Sequence, residues 1–166
     1  MRISLIVAAS TDNAIGKANT LLWTLPNDMK FFKNTTWGMP VAMGRNTFVA
    51  LNSKPLPGRL NIVISRQVNL ELPKGVVPTH DIASAIEAAR NWNAKEMFII
   101  GGGEIYKQSM SLADRIYLTR VHANFPEADA HLEGFEPSEW ILKDRQEFAV
   151  DEKHAYAYGF EVWEKK

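Results

Sequence analysis

Three apolar runs in this chain end in residues that could hold an anion. Phe98-Ile99-Ile100 passes directly into Gly101-Gly102-Gly103-Glu104-Ile105-Tyr106. A strand, three glycines and a helix start would aim bare backbone N–H groups outward at the positive end of a helix, which suits a pyrophosphate. The plainer alternative is a tight turn that requires φ > 0, although three glycines exceed what a turn needs. Neither common nucleotide signature is present. Tyr106 stands where G-x-G-x-x-G needs its third glycine, and no Gly-Lys-Ser/Thr follows. The second run ends in Met43-Gly44-Arg45-Asn46-Thr47 and the third in Ile64-Ser65-Arg66. Here a guanidinium and a hydroxyl could grip a phosphate. Taken singly, each arginine also fits a solvated surface cation. Two arginines at two strand ends suggest one extra phosphate, and so favour NADPH over NADH.

A fourth segment, Trp23-Thr24-Leu25-Pro26-Asn27-Asp28-Met29-Lys30-Phe31-Phe32, places one acid among aromatics. Asp28 falls in a first helical turn, where its ordinary role is to complement the helix dipole. Phe32 lies four residues on, beside it on the helix surface. A carboxylate in such a wall could bind a planar N–C–N donor fork through both oxygens, and partial burial would raise its pKa. Arg59 follows the rigid Pro55-Leu56-Pro57-Gly58 turn. It reads as a turn-end cation or as a clamp on a ligand carboxylate. His80, His122, His131 and His154 have no metal-ligand spacing, and cysteine is absent, so a metal site is not expected. A G-x-S-x-G elbow is also missing, which leaves serine-hydrolase chemistry unsupported.

The elements that must position these groups follow from apolar periodicity. Near-continuous apolar runs predict buried strands at Ile3–Ala9, Val41–Met43, Leu60–Ser65 and Met97–Ile100. Helices are predicted from Pro26 to Thr35, over Arg45–Leu51, over Ile82–Trp92 and over Ile105–Met110. Thr11 to Thr24 reads as a polar loop. After Ala113 only strands follow: Arg115–His122, Trp140–Phe148 and Ala155–Trp163. The last alternates over Tyr156, Tyr158, Phe160 and Val162, which suggests an antiparallel edge. The expected architecture is therefore α/β. It is a single-domain, mostly parallel, doubly wound sheet with antiparallel C-terminal strands and helices on both faces. Ligands in such sheets bind at the carboxyl ends of the strands.

At 166 residues and 46% hydrophobic, the chain can bury a core and still leave a ligand cleft. Nineteen basic and nineteen acidic side chains cancel, so no nucleic-acid or membrane partner is expected. The apolar run Leu5–Ala9 is too short for the core of a signal peptide. A cytoplasmic protein fits the lack of cysteine. A monomer is expected, since no exposed apolar face stands out.

The order and spacing of these segments resemble dihydrofolate reductase along nearly the whole chain. They are Ile3–Ala9, Ala14-Ile15-Gly16, Leu22-Trp23-Thr24-Leu25-Pro26-Asn27-Asp28, Met43–Phe48, Pro55–Arg59, Asn61–Arg66 and Ile99–Tyr106. The resemblance implies hydride transfer from NADPH to dihydrofolate, a place in one-carbon metabolism, and antifolate inhibitors as ligands. It implies that Asp28 binds the 2-amino and N3 edge of the pterin, that Thr119 bonds that acid, and that Trp23 orders a water nearby. Met29, Phe32, Leu51 and Leu56 would wall the pterin and benzoyl groups. Arg59 would clamp the glutamate carboxylate, with Lys54 close to the same tail. The carbonyls of Ile6 and Ile100 would accept at the pterin's 4-position side.

For the cofactor, the resemblance implies contacts from Ala8, Ile15, Gly16, Asn19 and Thr20, and from Gly101, Gly102, Gly103, Glu104, Ile105 and Tyr106. Gly101-Gly102 corresponds to a pair that the family joins by a cis peptide. Gly44, Arg45, Asn46, Thr47, Ser65 and Arg66 would hold the adenosine-phosphate end, with His80 as a cation near the 2′-phosphate. Residues 14 to 24 correspond to a mobile loop that closes over nicotinamide. This chain departs from the family pattern at Lys17, Leu21, Leu22, Met29 and Asn52-Ser53-Lys54. None of these changes removes a chemical group. The rival readings are a pteridine- or pyrimidine-reductase relative and a non-catalytic pterin or nucleotide binder. The acid after Leu25-Pro26 and the Arg59 turn favour dihydrofolate.

Overall fold

The apolar run near the start of the chain, β1 (Arg2–Ser10), lies inside the molecule with both flanks hydrogen-bonded. The computed structural model describes residues 1–166. After β1 come β2 (Ala14–Gly16), α1 (Pro26–Thr36), β3 (Val41–Gly44), α2 (Arg45–Ala50), β4 (Asn61–Ile64), β5 (Val77–Thr79) and α3 (Ile82–Asn91). Then follow β6 (Glu96–Ile99), α4 (Gly103–Ser109), β7 (Arg115–Val121), β8 (Ala130–His131), β9 (Trp140–Phe148) and β10 (Tyr158–Lys165).

Eight strands form one sheet in the order β5-β4-β3-β6-β1-β7-β10-β9. The pairs from β5 across to β7 are parallel, whereas β10 runs antiparallel to both neighbours. This matches the expected mixed sheet, mostly parallel and antiparallel at its C-terminal end. Because the parallel strands share a direction, the ends of β1, β3, β4 and β6 open on one edge of the sheet, where the Gly- and Arg-bearing loops emerge.

Successive side chains of β1 take opposite faces. Ile3, Leu5, Val7 and Ala9 join Ile82, Ala85, Ile86 and Ala89 of α3 in the larger core cluster. Those four helical residues follow the spacing of one buried helix face. The start of α3 is capped by Asp81, whose Oδ1 accepts the Ser84 N–H at 2.7 Å. Ile6, from the other set on β1, packs with Val41, Met43, Val63 and Phe98 beneath Phe31 and Phe32 of α1. The α1 side of the sheet therefore carries the cleft.

Two expectations need correction. The last strand is Tyr158–Lys165, not Ala155–Trp163, and it lies between β7 and β9 rather than at an edge. Alternation reports which face of a strand is buried; it carries no information on whether the strand's flanks are paired. The outer strand is β9, with Lys143, Asp144, Arg145 and Glu147 discouraging further pairing. The residues before Tyr158 form a turn, with Asp151 bridged to His154. The loop from Thr11 to Thr24 is also not wholly irregular, since Ala14–Gly16 pairs with Ala130–His131. The opposite sheet edge, β5, has only three residues, and Pro78 is one of them. Proline is tolerated there because an edge strand has a free flank.

Leu5 is 0% exposed and faces away from the cleft. Leu5→Ala is expected to cost about 2–5 kcal/mol of unfolding free energy through lost contacts and a residual cavity. The shift of the urea midpoint measures it.

Candidate active site

Pro26 starts α1 with its ring-fixed φ, preceded by Leu25 in an extended conformation. This puts Asp28 in the first turn, above β1 and β7. Register pairs Ala8 of β1 with Thr119 of β7, so the Thr119 hydroxyl rises from the cleft floor. It donates to Oδ1 of Asp28 at 2.6 Å. Burial pushes the Asp28 carboxyl above its ordinary value, and the Thr119 hydrogen bond only partly opposes that rise. Phe32, Leu51, Leu56 and Ile100 are half-buried around the apolar cluster next to it. Met29 is 65% exposed and outside that cluster. Trp23 is buried against Phe125, with ring centroids 5.4 Å apart. Its Nε1 is buried and has no acceptor in the protein.

Arg59 sits at the outer end of the same cleft. Its Nε donates to the Pro57 carbonyl at 2.9 Å and its Nη1 to Thr36 Oγ1 at 3.1 Å. The guanidinium also lies over the Trp37 ring, 5.4 Å from the centroid. Partial burial works against its charge, so an anionic ligand there would gain more than it would in water. The Pro-rich turn is clamped by Asn61, whose Oδ1 accepts from Leu56 N and whose Nδ2 donates to the Leu56 and Arg59 carbonyls. Lys54 is exposed beyond Leu51 and has no ion pair with an acid.

The glycine loop forms the other half of the site. The peptide between Gly101 and Gly102 is cis. Gly101 has φ +114°, and a Cβ there would meet the Tyr106 ring at 3.0 Å. Only glycine fits both constraints. The Gly44 N–H donates to the Gly101 carbonyl at 2.8 Å, joining two of the predicted anion loops. A Cβ on Gly102 would lie 3.6 Å from Thr47 Oγ1, and one on Gly103 3.7 Å from Ile15 Cδ1. Three sequence-distant segments thus converge on one bare backbone stretch. Ser65 and Arg66 emerge from β4, next to Arg45 after β3, because Gly44 pairs with Ile64. His80 joins them, with Nδ1 3.4 Å from the Ser65 carbonyl. Arg45, Asn46, Arg66 and His80 are all exposed around the cradle. Glu104 is exposed in the first turn of α4, and Ile105 packs against Gly44.

Tyr106 is buried, and its hydroxyl donates to the Ile6 carbonyl at 2.8 Å. Burial pushes that phenol well above its ordinary value. Ile6, within β1, lies beside Ile100, which follows β6, because Leu5 pairs with Ile99. Asn19 and Thr20 belong to the loop after β2. They sit exposed at a tight turn in which Lys17 and Thr20 exchange backbone hydrogen bonds of 3.0 and 2.9 Å. Gly16 is buried in β2, and Ala8 is half-buried in β1.

A family model described as dihydrofolate reductase matches residues 2–165. The chain belongs to the dihydrofolate reductase family. It is 37% identical to the dihydrofolate reductase of Bacillus subtilis over 164 residues, covering 99% of this chain and 95% of that one. It is 39% identical over 161 residues to dihydrofolate reductase type 3 of Salmonella typhimurium, with 96% of each chain covered. Among solved structures, dihydrofolate reductase from Enterococcus faecalis, complexed with NADP(H) and RAB-propyl, superposes with a TM-score of 0.89 at 30% identity, covering 99% of this chain and 96% of that one.

Against a dihydrofolate reductase ligand set, the cleft is built in two compartments. The acid, the apolar wall and Arg59 suit a flat heterocycle with an anionic tail. The glycine cradle and exposed cations suit a dinucleotide, since a side chain at Gly101 would fill the space against Tyr106. A cavity of about 390 Å³ at the opposite end of the sheet is lined by Arg2, Asp114, Arg115, Glu164, Lys165 and Lys166, with no apolar wall for an aromatic ring. Four residues that support the site were not singled out from the sequence: Thr36, Trp37, Asn61 and His154. Asn61 carried a signal, as a polar residue set within the otherwise apolar run Leu60–Ile64. Thr36 and Trp37 carried none, because their partners come from another segment.

Since burial raises the Asp28 pKa in the folded chain, its ionisation opposes folding. Its favourable contribution is complete below the ordinary carboxylate range and is lost as pH rises through the raised value. Asp28→Asn should therefore have a higher Tm than the parent at neutral pH, with the gap closing in acid. Melting curves taken across pH check this; a gap that is independent of pH would contradict the burial argument.

Proposed function

We infer that this protein catalyses reduction of 7,8-dihydrofolate to 5,6,7,8-tetrahydrofolate with NADPH, supporting one-carbon metabolism and nucleotide synthesis. The observation that carries the reading is the part-buried Asp28–Thr119 pair, which shares one cleft with the glycine cradle. The enzyme is an oxidoreductase. Bound NADPH supplies a hydride from nicotinamide C4, and the pterin C6–N5 double bond receives it at C6. N5 takes one proton, which balances the reaction.

The chain's own residues bind and orient. Asp28 accepts from the 2-amino group and N3 of the pterin, whose donor fork matches a carboxylate. Thr119 keeps the acid aimed and occupies the lone pairs facing the sheet. Phe32, Leu51, Leu56 and Ile100 exclude water from the ring. Arg59 pairs with the tail carboxylate and Lys54 adds positive charge near it. Asp28 sits at the far edge of the ring from N5, so the proton reaches N5 through water near Trp23. Catalysis is therefore mainly positioning and electrostatics. Arg45, Thr47, Ser65 and Arg66 favour the extra phosphate of NADPH, and His80 adds a donor beside them. The turn carrying Asn19 and Thr20 closes toward the cofactor when ligands bind.

This reading takes residues 1–166 as one dihydrofolate reductase-like domain acting as a cytoplasmic monomer without nucleic-acid partners. The continuous sheet and the balanced charge support it. No helix is long and apolar enough to cross a membrane. Antifolates of the diaminopyrimidine type fit the same Asp28 fork.

The deciding assay follows loss of nicotinamide absorbance with dihydrofolate and NADPH. Rapid turnover is expected, and Asp28→Asn should lower kcat/KM by about 10²–10³-fold. Full activity in that variant would remove Asp28 from its role, and no turnover by folded parent would remove the reading itself. Arg45→Ala combined with Arg66→Ala should raise KM for NADPH by about tenfold or more, from lost charge-assisted bonds. KM for NADH should stay unchanged; an equal rise for both cofactors would place the arginines elsewhere than at the 2′-phosphate.

A further inference from the structure

The first turn of α1 has backbone N–H groups with no acceptor inside the helix. Leu25, at the cap position, has no side-chain acceptor to offer. The acceptor arrives instead from the turn between β9 and β10. Nε2 of His154 receives the Asn27 N–H at 3.2 Å. The other ring nitrogen, Nδ1, lies 2.8 Å from Oδ1 of Asp151. An ionised carboxylate can only accept, so Nδ1 carries the hydrogen and Nε2 presents its lone pair. The two partners thus select one neutral tautomer.

The imidazole is 2% exposed. It rests against Tyr158, with ring centroids 5.1 Å apart. Tyr158 in turn accepts from the Asn27 side-chain amide at 2.8 Å. Asn27 is therefore held at its backbone by His154 and at its side chain by Tyr158. The next residue is Asp28. Once Asn27 is pinned, the only remaining local freedom for the Asp28 carboxylate is its own side-chain rotation, which Thr119 limits.

We propose that His154 is a positioning residue for the reaction: as the neutral Nδ1–H tautomer it caps α1 and thereby sets the direction in which Asp28 meets the substrate. The proposal rests on the reading of Asp28 as the pterin anchor. A protonated His154 would lose its acceptor and set a cation against the positive end of α1. The charged and titratable groups around it are Asp151, Glu152 and Lys153 on its own turn, Asp28 on α1 and Tyr158 on β10. Asp151 makes the hydrogen bond that selects the tautomer, and that bond holds its own carboxyl below the ordinary range.

The test uses two variants of the full chain beside the parent. His154→Leu has no acceptor, whereas His154→Gln supplies an amide oxygen. His154→Leu is expected to lower kcat/KM for dihydrofolate by about fivefold, the scale of a lost helix cap, while KM for NADPH is unchanged. His154→Gln is expected to recover most of that loss. A lowered Tm with unchanged kinetic constants would make His154 a stability residue only and overturn the proposal. So would a Gln variant as impaired as the Leu variant. If Asp28→Asn retains full turnover, the anchor reading fails by itself, independently of what His154 variants do. Should His154→Leu not fold, the parent still decides. Nitrogen NMR should find Nε2 unprotonated and the Asn27 amide slow to exchange at neutral pH. A protonated Nε2 or a fast Asn27 amide would overturn the cap.

Discussion

A carboxyl group set against apolar side chains resists ionisation unless a partner takes up its charge. At Asp28 the protein supplies one hydroxyl and leaves the remaining oxygen capacity unfilled. That imbalance is the constraint around which the cleft is arranged. It costs folding stability, and a ligand with a donor fork would relieve it. The surrounding architecture keeps the acid in place despite that cost. β1 and β7 are locked in parallel register, which stations Thr119 beneath it. Pro26 starts the helix, and the β9–β10 turn completes its cap.

The second compartment solves a different problem. A pyrophosphate needs backbone N–H groups at close range, and side chains obstruct that approach. Gly101 meets both demands, with its positive φ and its contact against Tyr106. Tyr106 then ties α4 to the Ile6 carbonyl on β1. One buried hydroxyl therefore fixes the cofactor cradle relative to the substrate floor. Two exposed cations follow β3 and β4, whose parallel pairing brings Arg45 and Arg66 to the same edge. Charge that is balanced over the whole chain is thus concentrated locally beside the glycine loop.

Much of this was legible in linear order. Parallel strands buried on both faces read as plain apolar runs, and glycines at their ends marked the loops. The helix over Pro26–Thr36 was readable from its proline start and its breaker beyond. Other features were not. β5 is too short and contains Pro78, so neither length nor propensity marks it. The location of β10 inside the sheet could not be inferred from alternation, which encodes faces and not neighbours. The loop after Thr11 looked irregular because the strand that orders part of it, Ala130–His131, lies far along the chain.

The types and order of the candidate site groups were set by the sequence alone: one acid in an aromatic frame, an arginine after a proline turn, and two arginines and a glycine run after buried strands. These follow from local chemistry and short-range periodicity. Only the tertiary structure decided how each group is held. Asn61 clamps the turn that carries Arg59, Trp37 and Thr36 grip the guanidinium, and His154 closes the helix that carries Asp28. The Thr36, Trp37 and His154 contacts join residues that no local pattern relates, because such contacts depend on distance and direction in space. Those become defined only when the sheet brings separate segments to one edge.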